Sequence, residues 1–93
     1  MARSVADILR EMRANPSGTR FAEAMKVAEY YFGPPRQSGS HRVFRMPWAG
    51  DPRINLQQGK GGQAKPYQVR QLLQAVDRLD LPHARQGKEE GRA

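Results

Sequence analysis

Cysteine is absent from this chain of 93 residues, and histidine occurs only twice, at His41 and His83. Without cysteine there is no disulfide framework and no thiolate metal site. The two histidines are too far apart in the sequence to read as a pair of metal ligands. We therefore expect a protein that depends on neither a disulfide nor a metal ion, and we expect no cofactor.

Long apolar runs are also missing. Asp7 interrupts the first segment before an apolar run develops, and no stretch approaches the roughly 20 apolar residues that a transmembrane helix needs. We expect neither secretion nor membrane insertion, and hence a cytoplasmic protein. A chain this short forms one domain at most, because it buries only part of its surface on folding, so a deep substrate cavity is not expected.

Positive charge is what the sequence has in excess, with a formal net charge of +7. The excess is concentrated in the centre, where seven basic residues and one acidic residue lie between Arg36 and Arg70. The remainder of the chain is nearly balanced, with nine basic and eight acidic residues. A focused positive field of this kind attracts polyanions, of which nucleic acid is the commonest soluble example.

The spacing of apolar residues predicts helices over residues 4–14, 19–33 and 66–81. Ser4 and Asp7 form a capping-box pattern at the start of the first helix. Glycines and charges without an apolar period predict a disordered tail over residues 82–93. The residues expected on the buried helix faces are Val5, Ile8, Leu9, Met12, Phe21, Ala24, Met25, Ala28, Phe32, Val69, Leu72, Leu73 and Val76.

Three strands are expected between the second and third helices, over residues 36–38, 41–46 and 53–57. Alternation in the middle strand places His41, Val43 and Arg45 on one face and Arg42, Phe44 and Met46 on the other. Residues 48–52 read as a hairpin connection, and the glycine-rich residues 58–64 read as a mobile loop.

The resulting order is helix, helix, strand, strand, strand, helix. It predicts an α+β fold, a two-layer sandwich in which helices cover one face of a three-stranded antiparallel sheet. We assign residues 1–81 to this single domain.

His41 is the candidate catalytic residue. It follows the small-residue turn Ser38-Gly39-Ser40 and begins a strand inside the basic segment, where a phosphodiester would be held. Cleavage of RNA through its 2′-hydroxyl needs a group that exchanges a proton near neutral pH, and histidine is the side chain closest to that range. His83 lies in the predicted tail, and we assign it no role.

A second cluster is expected at the start of the third helix, where free amide protons and the helix dipole favour an anion. Lys60, Lys65 and Arg70 make a phosphate clamp there. Trp48 is open to two interpretations, since it could stack on a base or cap the core. The residues that we expect to bind RNA or its phosphates are Arg42, Arg45, Lys60, Lys65, Tyr67 and Arg70.

Two motifs in this chain resemble a known family. Residues 38–44, Ser-Gly-Ser-His-Arg-Val-Phe, resemble the glycine-serine-histidine strand of HicA-type toxins. Residues 65–73, Lys-Pro-Tyr-Gln-Val-Arg-Gln-Leu-Leu, resemble the closing helix of one branch of that family. The likeness covers about residues 19–80, so the helix over 4–14 is an addition to the family core.

This resemblance implies the fold of a double-stranded-RNA-binding domain and cleavage of messenger RNA without a metal ion. It implies that His41 is the catalytic residue and that a HicB-type antitoxin is the partner. Many family members carry a second histidine directly after the first, where this chain has Arg42. Many also have a proline and a histidine in the third strand, where this chain has residues 54–57, Ile-Asn-Leu-Gln. The second catalytic role would then fall to Arg42, Lys65, Tyr67 or water.

Three functions remain open at this point. The first is the ribonuclease, and the second is a non-catalytic RNA-binding module that recognises RNA by shape and phosphate contacts. The third is a DNA-binding regulator that reads bases with Gln68, Arg70, Gln71 and Gln74 of the last helix. The sequence leaves the oligomeric state open.

Overall fold

The computed structural model describes residues 4–48, 50 and 53–88. Three α-helices and three β-strands follow one another in the predicted order: α1 (Val5–Ala14), α2 (Phe21–Phe32), β1 (Arg36–Ser38), β2 (His41–Arg45), β3 (Arg53–Gln57) and α3 (Pro66–Lys88). Short 3-10 turns occupy Pro16–Gly18 and Lys60–Gly62. The prediction of an α+β fold with a three-stranded antiparallel sheet is confirmed.

Helix α1 begins with the predicted cap. The backbone N–H of Asp7 donates to the Ser4 hydroxyl over 3.1 Å, which satisfies one of the free amides of the first turn. Hydrogen bonds from Ser4 and then from Arg10 lower the pKa of Asp7, because both favour the ionised carboxylate. At the other end of α1, Arg13 forms a two-pronged ion pair with Asp77 of α3, at 2.7 and 3.2 Å. Helix α1 is thus tied directly to α3.

Helix α2 ends where the sequence indicates. Gly33 has φ 83°, a left-handed conformation that glycine adopts without steric cost, and its N–H donates to the Glu29 carbonyl. Ala24, Val27 and Ala28 are buried on the inner side of the helix, while Phe21, Met25 and Phe32 pack more loosely around them.

The sheet has the strand order β1-β2-β3. A two-residue turn joins β1 to β2, and Gly39 has φ 61°, so the turn needs a glycine there. The strand register pairs His41 with Gln57 and Phe44 with Ile54. Directly paired residues share a face, so the predicted alternation of β2 is confirmed.

One face of the sheet is covered by helices. Phe44, Ile54 and Leu56 point to this covered face, and they are at most 7% exposed. They join a single core with buried residues of all three helices. The opposite face, which we call the open face, carries the other half of each strand: Arg36, Ser38, His41, Val43, Arg45, Arg53, Asn55 and Gln57.

Trp48 caps this core after β2. Its ring meets the ring of Phe32 edge to face, with 6.3 Å between centroids, and the guanidinium of Arg78 lies 4.5 Å above it. Both contacts come from helices, so the indole fastens the end of β2 to α2 and α3. Of its two interpretations, the structure supports the core cap.

Two expectations about irregular segments need correction. Residues 58–64 are not a loose loop, because Gln58 pairs with Ala64, Arg20 pairs with Gln63, and the Ala64 N–H donates to the Thr19 carbonyl over 2.9 Å. The segment lacks a helical or strand period, but its backbone groups find partners in the chain before α2.

Helix α3 does not stop before Pro82 and instead continues to Lys88. A proline removes one helical hydrogen bond, but residues 83–88 include alanine, arginine, glutamine and lysine, which favour helix. The predicted tail is therefore helical as far as residue 88. Residues 89–93 of that tail, and residues 49, 51 and 52 of the predicted hairpin connection, lie outside the described residues. In the described part of the chain, no helix is both long enough and apolar enough to cross a membrane.

Because the sheet has one buried and one open face, truncating neighbouring side chains of β3 should have very different effects on stability. Leu56→Ala should lower the free energy of unfolding by about 2–5 kcal/mol, because it leaves a cavity in the core. Asn55→Ala, one residue earlier on the open face, should change it by less than about 0.5 kcal/mol. Urea unfolding followed by circular dichroism measures both. Equal costs at the two positions would contradict the assignment of the faces.

Candidate functional site

His41 lies at the start of β2, on the open face of the sheet. Its backbone is flanked by Ser38 of β1 on one side and Gln57 of β3 on the other. The side chain is exposed, and within the described residues the imidazole has no hydrogen-bond partner. Both ring nitrogens are therefore accessible to a bound molecule, as a proton-transferring histidine requires.

A chain of hydrogen bonds links the His41 end of the sheet to the start of α3. The backbone N–H of Gln57 donates to the side-chain carbonyl of Gln68 over 2.8 Å. The side-chain amide of Gln68 in turn donates to the Tyr67 hydroxyl over 3.3 Å. On the sheet, the side-chain amide of Gln57 donates to the Ser40 hydroxyl over 3.5 Å. We call these residues, with His41, the His41 corner.

Gln68 holds this corner together. It is 3% exposed, and a buried amide is stable only when its polar atoms are satisfied, as they are here by β3 and by Tyr67. Tyr67 is 54% exposed, so its ring reaches solvent beside the anchored glutamine. Its hydroxyl accepts the bond from Gln68, which leaves the phenolic proton for another acceptor.

Lys65 lies immediately before α3. Its carbonyl accepts the N–H groups of Gln68 and Val69, at 2.9 and 3.1 Å, so Lys65 occupies the capping position and Pro66 the first position of the helix, as predicted. A cation at this end of a helix gains nothing from the helix dipole. Pro66 has no N–H, and the amides of Gln68 and Val69 are bonded to Lys65, so an anion at this point would be attracted mainly by the lysine side chain and the positive end of the helix dipole.

The remaining residues of the predicted clamp lie around this helix end. Arg70 is three residues after Tyr67 and is also exposed, so the two lie on one face of α3. Lys60 is exposed in the short turn at Lys60–Gly62. Gly59, which precedes that turn, lies close to the Lys65 side chain: a Cβ atom at position 59 would be 3.5 Å from the Lys65 Cγ.

The structure separates the two predicted arginines of β2. Arg42 is half-buried and belongs to the covered face, opposite to that of His41. It is therefore not brought together with His41. Arg45 shares the open face with His41, but four residues along a strand place it about 13 Å away. Its neighbours there are Arg36 and Arg53, with which it lines a shallow pocket of about 190 Å³.

Sequence reasoning missed three members of the His41 corner, namely Ser40, Gln57 and Gln68. Gln57 could have been found by pairing the predicted strands, since the register places it opposite His41. In the alternative of a DNA-binding regulator, Gln68 would read bases, but it is buried and its side chain is bonded to β3. This observation weakens that alternative.

No known protein family, curated protein or solved structure matches this chain. Among the described residues, no group of three histidine, cysteine, aspartate or glutamate side chains is placed to hold a metal ion.

Removing the side-chain carbonyl of Gln68, which accepts the Gln57 N–H, should destabilise the His41 corner. In Gln68→Met, the Gln57 N–H would be left buried without a partner, at a cost of about 1–3 kcal/mol in the free energy of unfolding. The matched change Gln71→Met, at an exposed position of α3, should have little effect. Urea unfolding gives the stabilities, and hydrogen exchange of the Gln57 amide reports the bond itself. Unchanged protection of that amide in Gln68→Met would contradict the assignment.

Proposed function

We propose that this protein is a metal-independent ribonuclease toxin of the HicA type, which cleaves messenger RNA and stops growth. In this proposal it acts in the cytoplasm, and a HicB-type antitoxin neutralises it. The fold would be that of a double-stranded-RNA-binding domain with α1 added in front. The observation that carries the proposal is the placement of His41, which is exposed on the open face opposite Gln57, the residue whose backbone N–H is bonded through Gln68 to the start of α3.

The chemistry would be an internal transfer within RNA. His41 takes the proton of a ribose 2′-hydroxyl, and the 2′-oxygen attacks the adjacent phosphorus. The bond from phosphorus to the 5′-oxygen breaks, and that oxygen leaves with a proton from a second group. A cyclic phosphate and a free 5′-hydroxyl are the products, and no oxidant or metal ion enters the balance.

Arg42 is on the covered face, opposite to that of His41, so we propose Lys65, Tyr67 or water for the second catalytic role. Tyr67 has a phenolic proton that its bond with Gln68 does not use. Lys65 has a cationic amine at the positive end of the α3 dipole, where it could stabilise the charge that develops on a phosphate oxygen. An acidic antitoxin that covers His41 and these cations would compete with RNA for the same charges.

Replacing His41 should separate catalysis from binding. His41→Gln should lower the rate of RNA cleavage by about 10²- to 10⁴-fold, the usual effect of losing a general acid or base, and should abolish growth inhibition on expression. Its affinity for RNA and its free energy of unfolding should change little, because the side chain is exposed. Cleavage is measured by gel electrophoresis of a labelled RNA, and binding by fluorescence anisotropy.

Asn55→Ala is the control for this experiment, since it also changes a polar residue of the open face. It should cleave RNA at the parent rate. A folded His41→Gln protein that retains the parent rate would refute the catalytic role. A parent protein that binds RNA without cleaving it, or a protein that unfolds without His41, would instead favour the non-catalytic RNA-binding module.

The clamp at the start of α3 should appear in the salt dependence of binding. Each phosphate neutralised by a cation contributes about 0.7 to the slope of log K against log salt for single-stranded nucleic acid. The double variant Lys65→Gln, Arg70→Gln should therefore flatten the slope by about 1.4. Arg10→Gln, Lys26→Gln removes the same charge from α1 and α2 and should leave the slope unchanged. Equal slopes for the parent and the Lys65, Arg70 variant would rule out the clamp.

A further inference from the structure

Three arginines converge on the open face, at the end of the sheet away from His41. Arg36 pairs with Val43 across β1 and β2, and Arg45 pairs with Arg53 across β2 and β3. Together with Pro34 and Val43, their side chains line the pocket of about 190 Å³. We call this set of three, Arg36, Arg45 and Arg53, the arginine cluster.

The arginine cluster concentrates positive charge on an exposed face of the sheet. Arg45 and Arg53 are directly opposite each other, and Arg36 lies on the same face of the neighbouring strand β1. The three strands contain four arginines and no aspartate or glutamate. A concave surface that is lined by positive charge attracts an anion.

We infer that the arginine cluster is a second phosphate-binding site, which holds a single strand of RNA by its backbone while His41 faces another part of the same strand. The inference rests on the proposed function for the identity of the polyanion as RNA. Arginine suits this task because its planar guanidinium donates two parallel hydrogen bonds to phosphate oxygens.

The surroundings of the cluster favour RNA over an acidic protein. A protein interface usually has an apolar or aromatic centre, whereas the open face offers only Val43 among polar and charged residues. Contacts to a nucleic-acid backbone need only positive charge and hydrogen-bond donors. Among the described residues of the three strands, no phenylalanine, tyrosine or tryptophan lies on this face, so we expect contacts mainly to the RNA backbone and binding that is tolerant of sequence.

The size of the face favours a single strand. Three strands spaced about 4.8 Å apart make a surface roughly 10 Å wide, and five residues of β2 span about 17 Å. A domain that recognises double-stranded RNA contacts about 16 base pairs with more of its surface than one sheet face, so a face of this size suits a single strand. His41 and Arg45 lie on the same side of one strand, so a single RNA strand that follows β2 would meet both.

The test measures binding in the His41→Gln background, so that it does not depend on cleavage. The triple variant Arg36→Gln, Arg45→Gln, Arg53→Gln is compared with the charge-matched control Arg10→Gln, Arg20→Gln, Lys26→Gln. The probe is a labelled 12-nucleotide single-stranded RNA, studied by anisotropy over a range of salt. Loss of three phosphate contacts should flatten the salt slope by about 2, equally for different RNA sequences, while the control keeps the slope of its background.

A second measurement leaves the cluster intact. Addition of the same RNA to His41→Gln should shift the backbone amide resonances of Val43, Arg45 and Arg53. An unchanged salt slope in the folded triple variant, or absent shifts at these amides, would overturn the inference. Loss of binding to polyglutamate with an unchanged RNA slope would also overturn it, by identifying the cluster as a surface for an acidic protein. If the parent protein does not cleave RNA but the triple variant has a flatter salt slope than its background, the proposed ribonuclease function is wrong and the phosphate-binding site is supported.

Discussion

The packing of Phe44, Ile54 and Leu56 beneath the helices determines which side chains of the sheet meet solvent. Side chains alternate along a strand, so burial of these three leaves their neighbours on the open face. A shift of one residue in register would bury charged side chains and expose the core. The position of His41 in solvent is therefore a consequence of apolar packing several residues away.

Much of this arrangement could be predicted from the sequence. The helix spacings, the cap at Ser4, the glycine at Gly33 and the proline at Pro66 are local signals with local physical causes, and all of them hold. The alternation of β2 also placed His41 and Arg42 on opposite faces. What alternation could not show is which residues of β1 and β3 stand beside them, because register depends on contacts between strands.

Two of the errors, at residues 58–64 and at Gln68, have the same origin. Residues 58–64 lack a helical or strand period, so their own sequence does not indicate that Thr19 and Arg20 pair with their backbone. A glutamine is usually a surface residue, but Gln68 is buried because its side chain accepts the backbone N–H of Gln57. In each case a polar group is satisfied by a distant segment, and the periodicity of one segment contains no information about such a partner.

The turn that carries Lys60 illustrates what such a partnership means for binding. Flexible loops lose conformational freedom when they close on a ligand, and this loss subtracts from affinity. Here the backbone on both sides of Lys60 is already fixed, by the bonds between Gly59 and Gln63 and between Ala64 and Thr19. Only the lysine side chain itself remains to be ordered by an anion. The entropy of the loop was lost during folding, so binding of an anion at Lys60 would not require the backbone to be ordered again.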